Sequence, residues 1–158
     1  MQKKLRLSLA FLALFSSCAL FSQSGIPAHW QPGMTLTLEY GGGMMYYSYK
    51  LQISDTGSYY LENVQGKETR HRLEISAGER DSILACLRKY RFDRIKTVMA
   101  GPMHDKGTET LALTWGSHSI SAGESYMTLI AEKDRERYDL IQGFLLQFRR
   151  TSEPDSLP

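Results

Sequence analysis

The groups in this chain that could do chemistry are few. The run VMAGPMHD brings Met99, Met103 and His104 together, two thioethers and an imidazole. Soft donors of this kind suit Cu(I) in an exported protein, and Met44-Met45 would add sulfur. The same methionines also serve as flexible gap-fillers. Asp105 and Glu109 lie close to His104 and could work with it as an acid/base site. A polar loop entering a strand predicts the same letters. The other histidines are His29, His71 and His118, and no pair among the four has the i, i+4 spacing of a helical zinc motif. No CxxC occurs. Ser117-His118-Ser119 places hydroxyls beside an imidazole, but at a hairpin turn, where serine is favoured for backbone reasons. No GxSxG is present. Cys86 sits in a helical pattern with no base or helix N-terminus near it to lower its pKa, so it reads as an inert buried thiol. No catalytic residue and no cofactor is assigned. Met99, Met103 and His104 stay as the metal candidates within a 99–109 loop.

The chain has 158 residues. Lys3, Lys4 and Arg6 precede an apolar run from 7 to 15, and apolar character resumes at 19–21. This is the shape of a secretory signal peptide, expected to occupy 1–23. It is too short and interrupted for a membrane span. Export to the periplasm or exterior follows. Cys18 after Phe15-Ser16-Ser17 offers an alternative, a lipoprotein box, in which case the chain is membrane-anchored through Cys18. Removing three of the 19 basic residues and none of the 17 acidic ones leaves the remainder at −1. That balance gives no electrostatic case for nucleic acid. Residues 24–149 are expected to form a single domain, and 150–158 a disordered tail.

The elements that must position these groups follow from periodicity. Met34, Leu36, Leu38 and Tyr40 alternate with Thr35, Thr37 and Glu39, the pattern of a half-buried strand. A second strand runs to about 54, a third covers 58–64 and a fourth 68–75. A four-residue loop at 41–44 pairs Leu38 with Tyr47 and Leu36 with Tyr49. A three-residue turn at 55–57 sets Leu51 opposite Leu61 and Lys50 opposite Glu62. A three-residue turn at 65–67 sets Tyr59 opposite Leu73, Leu61 opposite His71 and Tyr60 opposite Arg72. One face of the meander is then continuously apolar, with Tyr59, Leu61 and His71 turned inward. Ser76 and Glu79 form a capping box, and the helix to about 90 carries Ile83, Cys86, Leu87 and Tyr90 on one stripe. Residues 92–108 have no period and are either functional or a misread element. A strand at 110–115 turns at Gly116-Ser117 into a partner at 118–121. A final helix, about 134–149, carries Tyr138, Ile141, Leu145 and Phe148, and Gly143 within it either weakens it or allows close packing. The order β-β-β-β-α-β-β-α is α+β, with both helices on one face of an antiparallel sheet.

Two short stretches carry a resemblance. One is Leu38-Glu39-Tyr40-Gly41-Gly42-Gly43. The other is the helix end Leu-x-x-Tyr-Arg-Phe at 87–92. With the order of elements across 36–148, they resemble emfourin-like bacterial proteins, small inhibitors of thermolysin-type metallopeptidases, and other small exported bacterial domains. The resemblance implies a protein or peptide partner, specifically a secreted peptidase. The hairpin at about 45–64 departs from that pattern, and no inhibitory residue is carried over. From the residues themselves the expectation is a secreted, non-enzymatic binding domain. Its contact point is the glycine-rich end of the sheet: Gly41, Gly42, Gly43, Met44 at the loop tip, and Tyr46 turned outward beside Glu39. The alternative is an exported enzyme or metal-binding protein using the 99–109 loop.

Overall fold

The computed structural model describes residues 25–42, 46–151 and 153–154. The expected signal peptide with Cys18, and Gly43, Met44 and Met45, lie outside the described residues. Of the expected tail, residues 150, 151, 153 and 154 are described, within a 3₁₀ turn (Leu146–Thr151) and a two-residue strand.

The alternating segments form β1 (Thr35–Gly41), β2 (Tyr47–Ser54), β3 (Ser58–Val64) and β4 (Lys67–Leu73). After the first helix come β5 (Thr97–Met99), β6 (Thr108–Trp115), β7 (His118–Glu124) and β8 (Thr128–Ile130), and β9 is Glu153–Pro154. The antiparallel sheet has the order β7-β6-β1-β2-β3-β4, with the two-residue β9 beyond β4, and β5 pairs separately with β8. With two helices, α1 (Ala77–Lys89) and α2 (Glu132–Leu145), the architecture is α+β.

Both helices pack over one face of the sheet. Leu36, Leu38, Leu51, Ile53, Leu111 and Leu113 from the strands meet Ile83, Leu84 and Leu87 of α1 and Tyr138, Ile141 and Leu145 of α2 in one buried cluster. Each such side chain contributes about 1.5–3 kcal/mol on leaving water. Ser76 caps α1 with the reciprocal Glu79 bond of a capping box. Asp134, itself buried, accepts the Lys96 amide at 3.0 Å and so ties the start of α2 to the segment leading into β5. Cys86 is free and half-buried, and burial pushes its thiol up. A Cβ at Gly143 would meet nothing within 4 Å, so close packing does not require this glycine. Gly143→Ala is expected to stabilise the protein by about 0.5–1 kcal/mol, read as a higher urea midpoint.

Three expected registers are corrected. Leu38 pairs with Leu51, Leu36 with Ile53 and Tyr40 with Tyr49, four residues from the expected pairing. The shift is even, so the faces survive. Between β2 and β3 the pairing is Leu51 with Tyr60 and Lys50 with Leu61, one residue from expectation. Ser58 Oγ accepts the Ser54 amide at 3.2 Å and Ser54 Oγ donates to the Gly57 carbonyl at 2.6 Å, closing a tighter turn than a glycine-last loop. The next turn places Gln65 at φ 54° and Gly66 at φ 84°, the two-residue type I′ signature. Tyr60 therefore pairs with His71 and Leu61 with Arg70. The two one-residue slips cancel at β4, whose His71 and Leu73 face inward as expected. Only β3 is inverted: Tyr60 is buried, while Tyr59 and Leu61 lie on the other face. Lys50 pairs with Glu39 at 2.7 Å instead of Glu62, and the cation–π contact is Arg70 over Tyr59 at 4.1 Å, not Arg72 with Tyr60. The 92–108 stretch holds a 3₁₀ turn (Phe92–Arg94) and β5, so it is in part a misread element. Among the described residues, no helix is long and apolar enough to cross a membrane.

Candidate functional site

The apolar inner face ends in a polar row. Glu124, Glu109, Tyr40, Tyr49 and Glu62 pair successively across β7, β6, β1, β2 and β3. All occupy inward positions one step beyond the Leu38–Leu51 layer. The row exists because the alternation that places Leu111 and Leu113 inward also places Glu109 there, and the alternation through Ala122 does the same for Glu124.

Each glutamate is held differently. Glu124 receives Lys106 Nζ at 2.8 Å, the Ile130 amide at 2.9 Å and the Arg135 guanidinium. Burial raises its pKa, but these donors outweigh burial and hold the carboxyl at about 2. Glu62 receives Tyr47 Oη at 3.1 Å and Arg149 at 2.9 Å. Glu109 has only neutral donors, Tyr49 Oη at 3.1 Å and the Gln142 amide. Among the described residues, no cation pairs with it. Burial pushes the Glu109 carboxyl up, against the pull of the Tyr138 and Tyr49 hydroxyls, and the charges of Glu124 and Asp139 push the same way. Burial, then Glu109, raises Tyr49 and Tyr138 in turn.

Glu109, Glu124 and Tyr138 open onto a pocket of about 390 Å³ between α2 and the end of the sheet. The segment after β5 closes one side with Asp105, Lys106 and Gly107, and α2 supplies Arg135, Tyr138, Asp139 and Gln142. Tyr138 is only 1% exposed, and its hydroxyl has no hydrogen-bond partner. It faces Glu109 closely enough that phenol and carboxyl shift each other, although the contact falls outside hydrogen-bond geometry. The Tyr40 ring presses on Gly107, where a Cβ would lie 2.8 Å from it. The lining holds acids, bases and phenols but no serine, threonine, cysteine or histidine.

The expected contact residues surround the mouth of this end. Gly41 pairs with Thr108, and Gly42, at φ 88°, packs against Gly107. Tyr46 is 85% exposed. Its carbonyl accepts the Gln65 amide at 2.7 Å, so it lies beside the β3–β4 turn and Val64, not beside Glu39, whose partner is Lys50. Gly43 and Met44 are outside the described residues. A second exposed apolar group, Val98, Met99 and Tyr126, is held by bonds from the Ala100 and Met103 amides to the Met127 and Tyr126 carbonyls.

Of the metal candidates, Met99 is 73% exposed, Met103 half-buried and His104 exposed. Among the described residues, no group of three His, Cys, Asp or Glu side chains is arranged for a metal ion. Asp105 and Glu109 do meet in one pocket, whereas His104 does not line it. His118 stacks on Trp115 at 5.3 Å at the opposite end of β6, where it closes a hairpin. A hollow of about 440 Å³ on the helix-free face is lined by Glu39 and Lys50, already paired with each other.

Tyr138, Glu124, Arg135 and Gln142 were not singled out by spacing. The available signal was a glutamate at the inward phase near the end of each of two strands. No protein-family model matches the chain, and no curated protein matches it.

Proposed function

We propose that this chain is an exported, non-enzymatic domain that binds a protein or peptide through the glycine-loop end of its sheet. The observation that carries this reading is two sets of exposed large apolar side chains that flank this end. Tyr46 and Val64 lie together beside the β3–β4 turn, and Met99 and Tyr126 lie past the end of β7. Isolated exposed apolar residues are ordinary, whereas a group at loop tips is a common contact design. The resemblance to emfourin-like proteins narrows the partner to a secreted thermolysin-type metallopeptidase. Glu109 favours the alternative, an exported enzyme using the 99–109 segment, because a half-buried carboxyl of raised pKa suits proton transfer.

The full chain is expected to slow such a peptidase at stoichiometric amounts. Tyr46→Ser is expected to weaken capture about tenfold or more, as for an exposed aromatic anchor. An unchanged peptidase rate removes the inhibitor reading. A cross-linking pull-down in which wild type and Tyr46→Ser capture the same protein equally removes the assigned contact surface.

A further inference from the structure

The pocket behind the glycine loop has an unbalanced charge. Four carboxylates line it: Asp105, Glu109, Glu124 and Asp139. Its two cations, Lys106 and Arg135, are both bonded to Glu124. Glu109 is left half-buried with neutral donors only. A carboxylate in that position lacks a counter-charge. Beside it is the Tyr138 phenol, almost fully buried, whose hydroxyl has no partner in hydrogen-bond geometry among the described residues. The Tyr40 ring adds an aromatic wall. An anion would meet net negative charge. A neutral guest would leave Glu109 uncompensated.

We propose that this pocket binds an organic cation, a primary ammonium or guanidinium group, with Glu109 as counter-ion and Tyr138 Oη as acceptor of one of its N–H groups. The Tyr138 proton is then directed at Glu109, and the Tyr40 ring contributes a cation–π contact. Asp139, exposed on α2, stands at the mouth and adds attraction. The cation comes from a free amine or from a basic side chain of a partner. Only the second source rests on the binding function proposed above.

The test is titration of the ¹⁵N-labelled full chain with n-butylguanidinium, n-butylammonium and neutral n-butylurea. Both cations are expected to give saturable shifts at amides of 105–109, 124 and 135–142, with the urea at least about tenfold weaker. Glu109→Gln is expected to weaken cation binding about tenfold or more. Tyr138→Phe is expected to weaken it severalfold while preserving the fold's spectrum. Asp139→Asn changes only an exposed residue and keeps the test valid if Glu109→Gln misfolds; its expected loss is about threefold. Equal binding of the urea, or cation affinity unchanged in Glu109→Gln and Asp139→Asn, overturns the proposal. A blocked peptide with a central arginine separates the sources. Binding about tenfold tighter than n-butylguanidinium, with the gain lost in Tyr46→Ser, assigns the cation to a partner side chain. No gain assigns it to a free amine. The small-cation titrations do not involve Tyr46, so they succeed or fail independently of the peptidase reading.

Discussion

Glu124→Ala is expected to destabilise the protein by about 3 kcal/mol at neutral pH. Glu124 joins three separate parts of the fold through one carboxylate. Lys106 reaches it from the segment before β6, the Ile130 amide from β8 and Arg135 from α2. Its side chain is 14% exposed, and those of the two cations are about a third exposed. Truncation leaves two half-buried cations and a backbone N–H without their acceptor, which costs more than the pair contributes. The pH dependence identifies the ionic part. Burial acts to raise the carboxyl, but the donors hold it at about 2 in the folded state, below the ordinary value of 4.5. A depressed folded pKa means stability that is present above the unfolded value and lost as pH falls from about 4.5 toward about 2. Discounted for partial solvent screening, this part is about 2 kcal/mol. The stability gap between wild type and the near-isosteric Glu124→Gln should therefore be full at pH 7 and close as the pH falls to about 2. Glu109 titrates in both proteins, so it largely cancels from the difference. Urea denaturation across this range measures the gap, and one that stays constant with pH would mean that Glu124 acts through packing alone.

The same carboxylate shows where sequence reading stops. Features set by a few neighbouring residues were legible. The Ser76–Glu79 capping box, the alternation of β1 and β6 and the stripe of α2 each depend on contacts within one or two turns or strands. They give the α+β architecture and most of the core. Registers were less legible, because a turn's length depends on side chains that can bond across it. Gly57 suggested a three-residue turn, but the Ser58 hydroxyl bonds to the Ser54 backbone and the Ser54 hydroxyl to the Gly57 carbonyl, and these fix a shorter one. Gln65 took a left-handed conformation that its type does not announce. Both turns are one residue shorter than expected, and because the chain reverses between them the two errors cancel at β4 and turn only β3 over. β5 was invisible for another reason: all three of its residues are exposed, so it carries no alternation. It exists through its pairing with β8. In the site, Glu109 and Asp105 were legible as acids near a strand start. That Tyr138 and Gln142 come down on Glu109 from a helix about 30 residues later is set by tertiary packing, for which spacing holds no cue.

The tyrosines that follow the glycine loop divide along the same line. Tyr47 and Tyr49 belong to a ring cluster with Tyr40 and Tyr60, with Tyr40 stacked on Tyr49 at 5.5 Å and Tyr49 on Tyr60 at 6.0 Å. Their hydroxyls then reach Glu62 and Glu109, so the tyrosines link the apolar core to the polar row. Tyr46, one residue away and pointing from the other side of the chain, is left to solvent. One tyrosine-rich run thus supplies both hydroxyls for the polar row and an exposed side chain at the sheet's end.

Gly123→Ala is expected to cost about 3 kcal/mol, the upper end of overpacking penalties. A Cβ there would overlap the Glu109 carbonyl oxygen and lie 2.9 Å from Thr110 Cα. Both are backbone atoms of β6, directly across the ladder, so no rotamer change relieves the contact. The strands must part where Thr110 faces Gly123 and Glu109 faces Glu124. The damage therefore falls on the two carboxylates that define the pocket. Gly107→Ala makes the instructive comparison. Its Cβ would come within 2.8 Å of the Tyr40 ring, a shallower clash than at Gly123 and one with a side chain, which can move into the adjoining pocket. Its cost should be nearer 1 kcal/mol, with the loss expressed at Tyr40. One chemical change, an added methyl, thus has opposite signs along the chain: stabilising at Gly143, mildly unfavourable at Gly107 and severe at Gly123. Urea midpoints of the three variants test that order directly. Gly123→Ala as stable as wild type would show that β7 can move away from β6 without loss, and that the pairing of Glu109 with Glu124 is not what fixes the site.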